Sequence, residues 1–249
     1  MLHNYHTHTV RCGHATGTER EYIETAIKKG FQTLGFSDHG PYVEPLANRK
    51  GHRIPAELAE DYVTSVRALQ KEYEKDIRIL CGFELEYYPE LHAAEMEYLK
   101  KFSPDYLILG QHFLSEPLSI PSYAGENETR LSEYVTRVIS GMATGDFLYL
   151  AHPDLAGFEC PMEAWDREYR RLCEGAKKLG VPLEINLLGL RTGRRYPDER
   201  FFKIAAEVGN GIVLGVDAHS PESFLDEEQY KKANGMVEKL GLNLLGKIL

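Results

Sequence analysis

Histidine recurs in this chain where extended segments stop. "HNYHTH" ends in His6 and His8, "TLGFSDH" in Asp38 and His39, and "IRILCGFELE" in Glu84. "DYLILGQHF" carries His112, "FLYLAHPD" carries His152, and "GIVLGVDAHS" carries Asp217 and His219. His14 lies just beyond the first of these segments. Neutral imidazole and carboxylate together are donors for zinc, iron or manganese. Residues two apart on a strand face the same way, so His6 with His8, and Asp217 with His219, can share one focus. Seven histidines, Glu84 and Asp217 exceed what one ion takes. They suffice for two or three divalent ions sharing a bridging carboxylate. Asp38 adjoins His39 and must face the other way, where it would orient a ligand. His3, His52 and His92 fall at a strand start, in a polar loop and at a helix start, and are expected to be ordinary hydrogen-bonding histidines.

The elements needed to position these residues follow from periodicity. Short apolar or β-branched runs alternate with amphipathic stretches such as "AELAEDYVTSVRALQKEYE" and "MEAWDREYRRLCEGAKKLG". Thr18 and Glu21 have capping-box spacing, so a helix is expected to start there and to end at Gly30. About seven strand–helix units, with no linker long enough to divide them, predict one α/β domain over residues 1–249 built on a parallel sheet. That many units favour closure into a barrel, whose C-terminal strand ends form a common mouth where active sites are built.

Composition sets the boundaries. The chain has 249 residues, 43% hydrophobic and 27% charged, with a net charge of −9. The acidic balance argues against extended nucleic-acid binding, which needs a basic surface. No apolar run approaches the ~20 residues of a membrane span, and no secretion signal is visible. Cys12, Cys81, Cys160 and Cys173 form no CxxC pair and read as reduced thiols of a cytoplasmic protein. Cys12 has no base spaced to activate it and reads as a packing residue.

The series His6-Thr7-His8, His14, Asp38-His39, Glu84, His112, His152 and Asp217-x-His219 resembles the PHP family of metal-dependent phosphoesterases. "GTEREYIETAIKKGFQTLGFSDH", "LEINLLGLRTGRRYP" and "LGVDAHS" are most similar to its monofunctional histidinol-phosphate phosphatases. The resemblance implies a distorted seven-stranded (β/α)7 barrel with three metal ions in its mouth. It implies that His6, His8, Glu84 and Asp217 hold the first ion. Glu84 would bridge to a second, completed by His112 and His152, and His14, His39 and His219 would hold the third. Leu187 and Leu188 stand where many relatives carry small residues, a departure that would reshape the pocket.

The implied reaction is hydrolysis of L-histidinol phosphate in histidine synthesis, with metal-bound hydroxide attacking phosphorus. Clustered ions lower the pKa of bound water to ~7 and neutralise phosphoryl oxygens. Glu84 and Asp217 would serve catalysis as metal-holding carboxylates. Asp38 would orient a ligand, with a general-acid role toward the leaving alcohol as the lesser alternative. Guanidinium suits phosphate, and the resemblance points to Arg191 as the phosphate contact, with Arg194 and Arg195 on the same loop. Glu19 and Tyr42 are candidates to line the pocket. The alternatives are a phosphoesterase for another small metabolite, a nucleotide or phosphotyrosine, and a non-catalytic or proofreading PHP module.

Overall fold

The computed structural model describes residues 1–43, 52–114, 128–157 and 159–249. Four parallel strands come first: β1 (His3–Asn4), β2 (Thr33–His39), β3 (Arg78–Leu85) and β4 (Tyr106–Leu109), in the order β1-β2-β3-β4. A second parallel sheet holds β5 (Leu183–Asn186), β6 (Gly211–Gly215) and β7 (Asn243–Leu244). The helices are α1 (Glu19–Lys29), α2 (Ala59–Glu72), α3 (Pro89–Lys100), α4 (Glu128–Met142), α5 (Met162–Leu179), α6 (Leu187–Thr192), α7 (Glu199–Val208) and α8 (Glu227–Leu240). The result is an α/β fold with a curled parallel half-barrel. β2 is buried along its whole length, as expected of a parallel strand covered on both faces.

Local chemistry explains the boundaries. The Thr18 hydroxyl accepts from the Glu21 amide while Glu21 accepts from the Thr18 amide, and Gly30 closes α1 in the left-handed region. The expected strand over "PLEINLLG" is cut short. The Asn186 side chain accepts from the Gly189 amide, caps α6 and turns the chain into a helix at Leu187. The expected strand over "FLYLAHPD" is reduced to single bridges from Leu150 to Leu109 and to Leu183. Backbone bonds nevertheless continue on both sides of it, from Ala151 to Leu109 and from Glu184 to Leu150. Another bridge, Thr7 to Ala218, joins the first sheet to the second. Four- and three-stranded sheets joined by bridges therefore stand where seven continuous strands were expected.

Alternation along the strands decides what faces inward. Leu107 and Leu109 pack outward among the helices, whereas Tyr106 and Ile108 join Tyr5, Leu80, Tyr149 and Val213 inside the curl. Ile79, Cys81, Phe83 and Leu85 are outward, so Glu84 shares the inner face with Leu80. By the same rule Leu183 and Ile185 face out and Glu184 faces in.

Candidate metal centre

Glu84, at the C-terminal end of β3, is the hub. Its register partner is His39 at the end of β2. Oε2 lies 3.0 Å from His39 Nδ1, and Oε1 lies 3.0 Å from His152 Nε2 and 3.6 Å from His112 Nε2. On the other flank, His6 Nε2 is 3.5 Å from Glu84 Oε2 and 3.6 Å from Asp217 Oδ1. His8 Nε2 is 3.6 Å and 3.1 Å from the same two oxygens. These four atoms, His6 Nε2, His8 Nε2, Glu84 Oε2 and Asp217 Oδ1, are buried and have no hydrogen-bond partner among the described residues. Leaving buried polar atoms unpaired is costly. A tetrahedral ion with donors at ~2.0–2.1 Å spaces those donors about 3.3–3.4 Å apart, so this donor set fits a divalent cation. Donor atoms of His39, Glu84 and His112 also lie within 4.8 Å of one another, as do those of His8, His39 and His219. The His14 ring stands 4.8 Å from that of His219 and 5.3 Å from that of His39, centroid to centroid.

The opposite ring nitrogens are held from behind. His6 Nδ1 is 2.8 Å from Glu184 Oε1, and His8 Nδ1 is 3.4 Å from Asp38 Oδ1. Carboxylates behind ligating imidazoles fix tautomer and ring orientation. Two glycines make room for the acids. A Cβ on Gly110 would lie 1.8 Å from Glu84 Oε1, and one on Gly215 would lie 1.7 Å from Glu184 Oε1. His152 and Asp217 adopt left-handed backbone, with φ of 30° and 49°. Strained residues of this kind cluster at functional sites.

The electrostatics leave most of the cluster ready to ligate. Burial pushes His39 well below the usual imidazole range and brings His112 and His219 down to about 3; it lowers His14 as well. Burial opposes ionisation of Glu84 and Asp217, but the surrounding imidazoles outweigh it and hold both carboxyls well below their ordinary values. For His6 and His8 burial works toward the neutral form, yet the adjacent carboxylates win. They raise His6 well above 6.5 and His8 to about 9.

A cavity of about 820 Å³ opens over the cluster, lined by His8, His14, His39, Glu84, His112, His152, Asp217 and His219. Arg194, Arg195 and Leu188 join its wall, while Leu187 is buried in the outer core. Arg191, expected to contact phosphate, is not among the described lining residues. It donates to Gln229 Oε1 at 2.5 Å and lies 3.4 Å from the Asp217 carbonyl oxygen, because α6 turns its guanidinium toward α8. Glu19 is likewise off the cavity, engaged by Arg11 and by the Ser65 hydroxyl at 3.3 Å. Tyr42 is buried with its hydroxyl donating to Glu86 Oε2 at 3.1 Å. Asp38 has no edge on the cavity. It accepts from the His39 amide and from Thr9, so it is placed to position His8 rather than to protonate a leaving group. His3 pairs with Thr33 and His92 with Asp146, as ordinary histidines. His52 departs from that expectation and lines the cavity, its ring 5.0 Å from His14.

Residues 4–187 match the PHP domain. The chain belongs to the PHP domain family. It is 30% identical over 227 residues to the "Probable histidinol-phosphatase" of Deinococcus radiodurans, covering 87% of this chain and 85% of that protein. It is 27% identical to the histidinol-phosphatase of Bacillus subtilis over 86% of this chain and 92% of that one. The fold is similar to that of the Lactococcus lactis histidinol phosphate phosphatase, solved with zinc, L-histidinol and phosphate. The TM-score is 0.76 at 19% identity, over 98% of this chain and 95% of that one.

In this PHP domain two carboxylates have functions not anticipated from the sequence. Glu184 accepts from His6, from the His152 amide at 3.0 Å and from Asn186 Nδ2 at 2.9 Å, and Asn186 also donates to Asp217 Oδ2. Glu86 accepts from the amides of His112 and Phe113, both at 2.9 Å. A signal for each was present: an acid two residues from another polar residue in an apolar strand, Glu184-x-Asn186 and Glu84-x-Glu86. Arg53, which also lines the cavity, lies in an aperiodic stretch that carried no such signal.

Proposed function

We propose that this chain is a metal-dependent phosphatase that hydrolyses L-histidinol phosphate to L-histidinol and phosphate in histidine biosynthesis. The observation that carries the reading is the convergence of four unpaired buried donor atoms at 3.1–3.6 Å spacings beneath an open cavity. The histidinol-phosphatase names of relatives that align over most of the chain support the substrate. Two to three divalent ions, zinc, iron or manganese, would be held by His6, His8, Glu84 and Asp217, by Glu84, His112 and His152, and by His14, His39 and His219. Such ions supply a water acidified to a pKa of about 7 and charge neutralisation at the phosphoryl oxygens. The protein's own contribution is orientation. Glu184 and Asp38 fix the two imidazoles from behind, and Arg194 and Arg195 supply cationic donors on the wall above. We read residues 1–249 as one PHP domain, a distorted seven-membered barrel working in the cytoplasm, where its four free cysteines remain reduced. Leu188 on the cavity wall favours a second reading, a phosphoesterase for another small phosphorylated metabolite.

Phosphate release from a panel of monoesters, with metal measured on the same sample, tests the proposal. The expected result is two to three ions per chain, loss of activity in chelator, and preference for L-histidinol phosphate over aryl phosphates, nucleotides and phosphotyrosine. Activity that survives with no bound metal refutes the mechanism. Equal turnover across the panel refutes the substrate.

A further inference from the structure

Among the described residues three guanidinium groups line the cavity, and they are held very differently. The Arg195 side chain is 70% exposed, donates to the Gly157 carbonyl at 3.1 Å and reaches Glu159 only at 3.8 Å. Arg194 donates to the Tyr196 hydroxyl at 2.8 Å. Arg53 has a side chain only 7% exposed. One of its terminal nitrogens pairs with Glu86 Oε2, the other donates to the Gly40 carbonyl at 3.3 Å, and its Cζ lies over the Tyr42 ring, 4.1 Å from the centroid. Burying a guanidinium is unfavourable unless a partner offsets its desolvation, and Glu86 does so here.

The location of this pair gives it a use. The residue after Arg53 donates its amide to the His39 carbonyl at 3.1 Å. Glu86, through its other oxygen, takes the amides of His112 and Phe113. Arg53 therefore sits between the segments that deliver His39 and His112, with one edge on the cavity. Stacking and two anchoring bonds remove the side-chain freedom that an exposed arginine would lose on meeting an anion.

We propose that Arg53 is the fixed cation that binds the anionic group of the substrate beside the metal cluster, with Glu86 as its positioning residue. This rests on the phosphatase reading above. It adds a fixed guanidinium on the loop after β2 to the cationic donors on the loop after β5.

The test uses metal-loaded protein and four variants: Arg53→Lys, Arg53→Met, Glu86→Gln and the double variant Arg53→Met/Glu86→Gln, which leaves no unpaired buried charge. Inhibition by inorganic phosphate is measured together with KM and kcat on L-histidinol phosphate and with metal per chain. Arg53→Met and the double variant should raise the phosphate inhibition constant and KM about ten- to a hundred-fold, the worth of a charge-assisted hydrogen bond. Metal content should be unchanged. Arg53→Lys should recover part of the loss, since it keeps the charge without the fork. Glu86→Gln should fall between parent and Arg53→Met, because its amide oxygen can still accept from His112 and Phe113. A folded double variant that binds phosphate as the parent does overturns the proposal. So does one that loses metal along with phosphate affinity, since the pair would then act through His112. A parent that neither turns over a phosphate monoester nor is inhibited by phosphate overturns the phosphatase reading itself.

Discussion

Glu184→Gln changes one atom in the buried layer behind the metal centre, and its effect follows from hydrogen-bond polarity. Glu184 is fully buried. Oε2 accepts from the His152 amide at 3.0 Å and from Asn186 Nδ2 at 2.9 Å, while Oε1 faces His6 Nδ1 at 2.8 Å. Glutamine has the same shape but one acceptor oxygen and one donor nitrogen. The two N–H donors on the Oε2 side cannot accept, whereas the Tyr149 hydroxyl 3.4 Å from Oε1 can, so the glutamine oxygen stays on the Oε2 side and the new NH2 must face His6 Nδ1. His6 Nδ1 then has to accept, which places the ring proton on Nε2, the nitrogen that points at Glu84 and Asp217. A protonated Nε2 offers no lone pair to a cation. Losing the partner behind a metal-ligating histidine costs roughly ten- to a hundred-fold in affinity, or about 1.4–2.7 kcal/mol. Competition between the protein and a calibrated chelator for zinc, on parent and variant with matching circular dichroism, measures it. A folded Glu184→Gln protein that binds zinc within twofold of the parent would show that the carboxylate does not set the His6 tautomer.

Two further perturbations read the same centre. Gly110→Ala places a methyl where Glu84 Oε1 stands, 1.8 Å away, and should cost about 1–3 kcal/mol of stability together with loss of bound metal. Gly235→Ala in α8, which meets nothing within 4 Å, should be neutral or stabilising by up to about 1 kcal/mol; equal losses in thermal unfolding and elemental analysis would mean that packing against Glu84 is not the cause. The pH dependence of the metal-free protein has a definite sign. Burial opposes the charge on His8, but the adjacent carboxylates of Asp217 and Asp38 raise it from 6.5 to about 9. A raised folded value adds stability that is complete below about pH 6.5 and is lost as pH climbs through about 9. Unfolding temperature in chelator should fall across that window while zinc affinity rises, because binding must displace the protons; an unfolding temperature that rises from pH 6.5 to 9 contradicts the assignment.

Much of this centre was legible in the residue series alone, because strand periodicity is local. Side chains two apart share a face whatever the rest of the chain does, so His6 with His8 could be paired on paper. The capping box at Thr18 and the closing Gly30 are likewise contacts within a few residues. What only the tertiary structure decided depends on long-range approach. A sequence separation of 178 between His6 and Glu184 hid the carboxylate that orients the ring. Arg53 reaches the cavity through Glu86 and Tyr42, partners on separate segments with no shared period. Arg191 had the right charge on the right loop, but Asn186 caps α6 one turn earlier and aims it at Gln229 instead. The Leu150 segment has the composition of a strand yet pairs only through single bridges, since where a parallel ladder starts and stops is set by neighbours contributed from distant sequence. Residue types and their spacing determined which atoms could ligate. The fold determined which of them are left without any other partner.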